Sequence, residues 1–137
     1  MNTIQCAVRK ISVPALPEEI VRQNLLSQML STLGYPSGLI VVEKDLHQLP
    51  HLTLSKSKPP DRRADILCYG PDIHPDHSLY PLLLIECKAV AITPKVVSQV
   101  AGYNHFVKSY FICLANHKEI RTGWWNSADN SYQFVPF

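Results

Sequence analysis

The run Leu82-Leu83-Leu84-Ile85, followed at once by Glu86-Cys87-Lys88, constrains the fold more than any other stretch. Four consecutive apolar residues without alternation describe a strand covered on both faces, which requires a sheet with further layers above and below it. Glu and Lys are seldom fully buried unless they are paired or serve some purpose. The strand therefore sets two problems together: what covers it, and what its terminal charges do. A chain of 137 residues, 46% apolar and 18% charged, can bury such a sheet and is too apolar for disorder. A single domain over residues 1–137 is expected.

The covering layers are legible on either side of the strand. Pro17 to Leu33 carries helix punctuation: Pro17 in the first turn, Glu18 and Glu19 at the positive end of the dipole, and Gly34 as a stop. Val21, Leu25, Leu26, Met29, Leu30 and Leu33 make its apolar stripe. Pro94 opens a second helix to about Val107, with Val96, Val100, Tyr103 and Val107 at helical spacing. Strands are expected from Leu39 to about Leu46, Ala64 to Tyr69, Tyr80 to Cys87 and Tyr110 to Ala115. Gln48 to Asp61 reads as a long exposed loop. Gly123-Trp124-Trp125 and Tyr132 to Val135, on either side of Ser-Ala-Asp-Asn, suggest a terminal hairpin. The order is α-β-β-β-α-β followed by a β tail, an α/β fold.

Several function classes are disfavoured. The longest apolar runs are far too short to cross a membrane, and MNTIQCAVRK has no signal-peptide h-region. Cys6, Cys68, Cys87 and Cys113 are widely spaced with no CxxC pair, which fits a reduced, cytoplasmic protein with free thiols. The net charge of +2 is too small to indicate nucleic-acid binding by itself. Lys56, Lys58, Arg62 and Arg63 cluster before Asp65, where a solvated loop explains them equally well.

Residues two apart on a strand share a face, with Cα atoms about 6.6 Å apart. Glu86 and Lys88 therefore project together while Cys87 points the other way. Asp65 lies on the preceding strand, also where charge meets an apolar run. Two converging carboxylates can bind Mg²⁺, which prefers oxygen ligands and keeps water positions open for a substrate phosphate. Such an ion acidifies a bound water and offsets charge developing on phosphorus. Lys88 can orient that water or stabilise the developing charge. On spacing alone an ordinary ion pair at a strand end competes with this reading.

The wider pattern favours chemistry. LPEEIVRQNLLSQMLSTLGYP, RRADILCYG, LLLIECKA and QVAGYN, in that order, resemble the PD-(D/E)xK nuclease superfamily, and most of all the N-terminal nuclease domain of type I restriction enzyme R subunits. The resemblance implies a restriction-endonuclease-like core over about residues 16–116, a mixed sheet flanked by helices, with a short C-terminal β hairpin within 117–137. It implies metal-dependent DNA cleavage with Asp65 and Glu86 as ligands of Mg²⁺ (Mn²⁺ substituting) and Lys88 as the catalytic lysine. Glu18, in Glu-x-x-x-Arg with Arg22, matches the first-helix acid and a further metal ligand. Gln99 and Tyr103 match a Gln-x-x-x-Tyr element. DNA is the implied partner, with a restriction-system subunit or a second copy supplying further contacts; a DNA-binding or partner-docking module without cleavage is the alternative. Ala64 stands where proline commonly precedes the aspartate. No GxxxxGK[ST] phosphate loop is present, so motor-driven cleavage does not carry over.

Other residues have competing readings. Glu19 can replace Glu18 as the first-helix acid, and Gln99 can equally be a surface residue. Arg62 and Arg63 can contact phosphates or merely be solvated. His74-x-x-His77 reads as a solvated loop rather than a metal site. Of Trp124 and Trp125, one is expected in the core and one at the surface.

Overall fold

A computed structural model describes residues 2–52 and 58–136. Its centre is a six-stranded sheet in the order β3 (Ile40–Asp45), β4 (Arg63–Pro71), β5 (Leu79–Cys87), β6 (Phe111–Ala115), β7 (Ile120–Asn126) and β8 (Ser131–Pro136). Only β5 and β6 are parallel, joined by α2 (Pro94–Val107). The other neighbours are antiparallel, so the sheet is mixed. A separate two-stranded hairpin, β1 (Thr3–Gln5) with β2 (Ser12–Pro14), precedes α1 (Pro17–Ser27).

β5 is covered on both faces, as its unalternating run requires. Leu83, Ile85 and Cys87 join Val21, Leu25, Leu26 and Met29 beneath the first helix. Leu84 joins Val100, Val107, Ile112 and Leu114 beneath the second. α2 has the limits expected for it: Thr93 caps the Val96 amide at 3.3 Å, Pro94 occupies the first turn, and Lys108 closes it in the left-handed region with φ 56°. The four cysteines are free and buried.

Three expectations need correction. The first helix does not run regularly to Leu33. It passes at Gln28 into a π turn through Thr32, closed by the Leu33 amide on the Gln28 carbonyl at 3.0 Å. The wider turn rotates the stripe, so Met29 is fully buried while Leu33 is exposed. The stretch from Gln48 is not all exposed loop: short 3-10 turns at Leu46–Gln48 and Pro50–Leu52 bury Leu46 and Leu49 in the α2-side core. Lys56, placed in the basic cluster before Asp65, lies outside the described residues. The terminal hairpin is present as expected in β7 and β8, and β7 also pairs with β6 from Ile112↔Gly123 to Ala115↔Ile120. Trp124 and Trp125 are both exposed, so neither takes the core position expected of one of them.

Candidate active site

The site forms where β4 begins and β5 ends. Ile66 pairs with Ile85, which places Asp65 beside the last residues of β5. The Cys87 amide donates to Asp65 Oδ2 at 2.8 Å. Alternation breaks at this point: Ala64 packs in the α2-side core and Ile66 in the α1-side core, although they are two residues apart. Opposite, Glu43 of β3 adopts a left-handed φ of 53°. The irregularity lets Asp65 meet groups from the first helix while lying next to β5.

Glu86 is buried, and its carboxyl is pushed up to about 7. Desolvation is the main cause, followed by the negative charge of Asp65; Arg62 and Lys88 oppose it, and Glu18 adds to it. Asp65 is also raised by burial, with the Cys87 amide, Arg22 and Lys88 holding it down and Glu18 pushing it up. Asp65, Glu86, Lys88 and Glu18 thus share one electrostatic neighbourhood. The Lys88 amide donates to Ala115 at 2.8 Å, fixing the lysine just beyond the strand.

Two arginines serve the two carboxylates differently. Arg22, buried on α1, lies 3.8 Å from Asp65, 3.4 Å from Glu19 and 3.3 Å from Glu43. Arg9 closes the network with 3.2 Å contacts to Glu19 and Glu43. Glu19 also accepts from Gln23 at 3.0 Å. It is therefore part of the scaffold, whereas Glu18 is exposed and turns its charge on the carboxylate pair. Arg62 donates to Glu86 Oε1 at 3.1 Å and lies 3.9 Å over the Tyr103 ring. Gln99, one turn before Tyr103, is exposed, and Arg63 is exposed at the start of β4. The structure thus brings Asp65, Glu86, Lys88 and Glu18 together, reaches them from α2 through Tyr103 and Arg62, and leaves Gln99 and Arg63 at the surface. The sequence offers Glu19 only as an alternative first-helix acid and gives no sign of Arg9 or Glu43, whose contacts join segments whose proximity no local pattern announces.

The donor set suits a hard cation. Mg²⁺ commonly takes one or two carboxylates and completes its shell with water and substrate oxygens. Asp65 and Glu86 offer two, both destabilised as anions by burial and mutual repulsion, and a guanidinium already serves Glu86 as counter-ion. Among the described residues no group of three or more His, Cys, Asp or Glu is gathered closely enough to hold a metal. Asp65 and Glu86 are the paired carboxylates, and the Glu18 charge acts on both. Beside this strand end, a cleft of about 510 Å³ between α1 and the β6–β7 connection is lined by Asn24, Gln28, Ala115 and Lys118 among others.

A mixed sheet between two helices, with Asp, Glu and Lys gathered at the junction of its central strands, defines a nuclease-like α/β domain. The comparison with protein families is specific: residues 17–136 match the type I restriction enzyme R protein N terminus, and the chain belongs to that family. No curated protein matches the chain. Among the described residues, no helix is long and apolar enough to cross a membrane.

Proposed function

We propose that this domain is a metal-dependent DNA hydrolase of a restriction system, with Asp65 and Glu86 holding Mg²⁺, or Mn²⁺ in its place. The observation that carries the reading is the gathering of Asp65, Glu86 and Lys88 at one strand end, in a chain whose family is the R-protein N terminus. When bound, the cation lowers the pKa of a coordinated water and offsets charge on the phosphate. The chain's own groups do the rest. The Cys87 amide fixes the Asp65 carboxylate, and Arg22 opposes the effect of burial on it. Lys88 reaches the same space with an ammonium that orients the attacking water and stabilises negative charge developing on phosphate oxygen. Glu18 faces the pair from the solvent side, where it can accept a hydrogen bond from a water. Gln99 and Arg63, both exposed, are the residues that would meet the DNA backbone. A net charge of +2 gives little general attraction to DNA, so a further subunit or a second copy supplies contacts that this chain lacks.

The test is nicking of plasmid, linear and single-stranded DNA with Mg²⁺ or Mn²⁺. Asp65→Asn and Glu86→Gln are expected to lose both metal binding and cleavage, while Lys88→Met keeps metal binding and loses cleavage. Equal cleavage by the wild type and all three variants would refute the assignment. The Arg62–Glu86 pair favours a second reading, a fold that docks DNA or a restriction partner without cutting. That reading gains if the wild type binds duplex DNA but neither binds a divalent cation nor cleaves.

A further inference from the structure

Arg62 is held firmly at its backbone and loosely at its side chain. Its amide donates to Pro60 at 2.9 Å, and its carbonyl accepts from Leu46 at 3.0 Å, fixing the Cα at the entrance to β4. Its guanidinium has five N–H groups. Among the described residues it makes one hydrogen bond, to Glu86, with its other face on Tyr103. The side chain is 37% exposed, whereas that of Glu86 is 5% exposed. Arg22 differs: its side chain is 7% exposed and is enclosed by Glu19, Glu43 and Asp65. Of the two arginines at the site, only Arg62 can leave its acid without opening the core.

Building on the proposed metal site, we infer that Arg62 is a two-position residue: it neutralises Glu86 while no divalent cation is bound, and turns over Tyr103 to a DNA phosphate when a cation takes Glu86. A dication and a guanidinium against one buried carboxylate repel each other strongly, because the low-dielectric surroundings screen them poorly. Displacement therefore accompanies metal entry. The aromatic ring retains the displaced guanidinium at the mouth of the site, since its attraction for a cation does not depend on Glu86. Arginine's planar fork then matches two phosphate oxygens. Metal binding and DNA binding are coupled through one side chain, and by linkage each strengthens the other by the same factor.

The experiment uses the full chain carrying Lys88→Met, so that duplex is not consumed. Mn²⁺ affinity is measured by calorimetry with and without a short duplex, and duplex affinity by anisotropy with and without Mn²⁺. Adding Arg62→Gln removes the competitor for Glu86, so Mn²⁺ binding without DNA should tighten by about fivefold or more, while the coupling factor shrinks by a similar amount. Tyr103→Leu leaves DNA-free Mn²⁺ affinity within about twofold and lowers the coupling alone, a split that a merely structural role does not produce. Arg62→Lys, which retains charge without the fork, provides a second variant with competition preserved and coupling reduced. If Mn²⁺ binds but Arg62→Gln changes neither affinity nor coupling, the inference fails and the metal-site reading stands. If the Lys88→Met chain binds no Mn²⁺ at all, both fall.

Discussion

Glu86 makes stability depend on pH in a direction opposite to that of most carboxylates. Its folded-state value of about 7 lies above the ordinary 4.5. Between these values the folded chain keeps a proton that the unfolded chain releases, so stability falls as pH rises through the window. The stabilising contribution is fully present below 4.5 and lost above 7. At about 1.4 kcal/mol per pH unit, the loss is roughly 3 kcal/mol, a large share of a domain's stability. Glu86→Gln preserves size and can still accept from Arg62, but has no proton to lose. Urea denaturation with chelator present, from pH 4.5 to 8.5, is expected to show the wild type losing roughly 3 kcal/mol relative to the variant. Groups that titrate alike in both proteins cancel in the difference, which leaves Glu86 and its neighbour Asp65. At pH 8 a divalent cation at about a hundred times its dissociation constant should restore about 2.7 kcal/mol to the wild type and almost nothing to Glu86→Gln. A flat difference curve, or one in which the wild type gains stability with rising pH, would refute the account of a desolvated, repelled carboxylate.

Glu19→Gln should cost roughly 3 kcal/mol in urea denaturation, because it leaves Arg9 and Arg22 short of a buried counter-charge. Glu18→Gln should change stability by no more than about 0.5 kcal/mol while reducing cleavage, and the reverse pattern would exchange their roles. At Gly123 an added Cβ meets the Phe134 ring at 2.5 Å and the Gln133 carbonyl at 2.9 Å, so Gly123→Ala should lower Tm by the equivalent of about 1–3 kcal/mol. An unchanged Tm would mean that the β7–β8 hairpin is not packed in this way. Thiol titration should find four groups after denaturation without reductant, and almost none reacting quickly in the native state at Cys68 and Cys113, both pushed up to about 12 by burial, or at Cys87, also raised. A native disulfide would contradict this.

The layers around β5 were legible because their signals are local. Proline at a first turn and apolar residues at helical spacing define α2 from Pro94 to Val107, and the unalternating Leu82–Ile85 run demands cover on both sides. The β1–β2 hairpin was not legible: each strand has three residues, too few for periodicity to stand out. The π turn was hidden because the same leucines suit a regular helix, and only packing around Met29 selects the wider turn.

The site was half legible for a related reason. Period-two alternation correctly puts Cys87 on the α1 side, opposite in parity to Glu86. The same rule cannot place Asp65, because alternation breaks between Ala64 and Ile66 and the Glu43 backbone opposite enters the left-handed region. The arginines follow from that break. Asp65, turned out of register, lies 3.8 Å from Arg22, which three acids enclose and which burial holds in place. Glu86, still in register beneath α2, is left with Arg62, a residue a third exposed that rests on an aromatic ring. One carboxylate is fixed and the other is held by a cation able to leave. If the proposed metal enters such a pair, it would exchange places with one mobile charge and leave the scaffold's ion-pair network intact, so the backbone irregularity at Asp65 would divide the site into a fixed half and an exchangeable one.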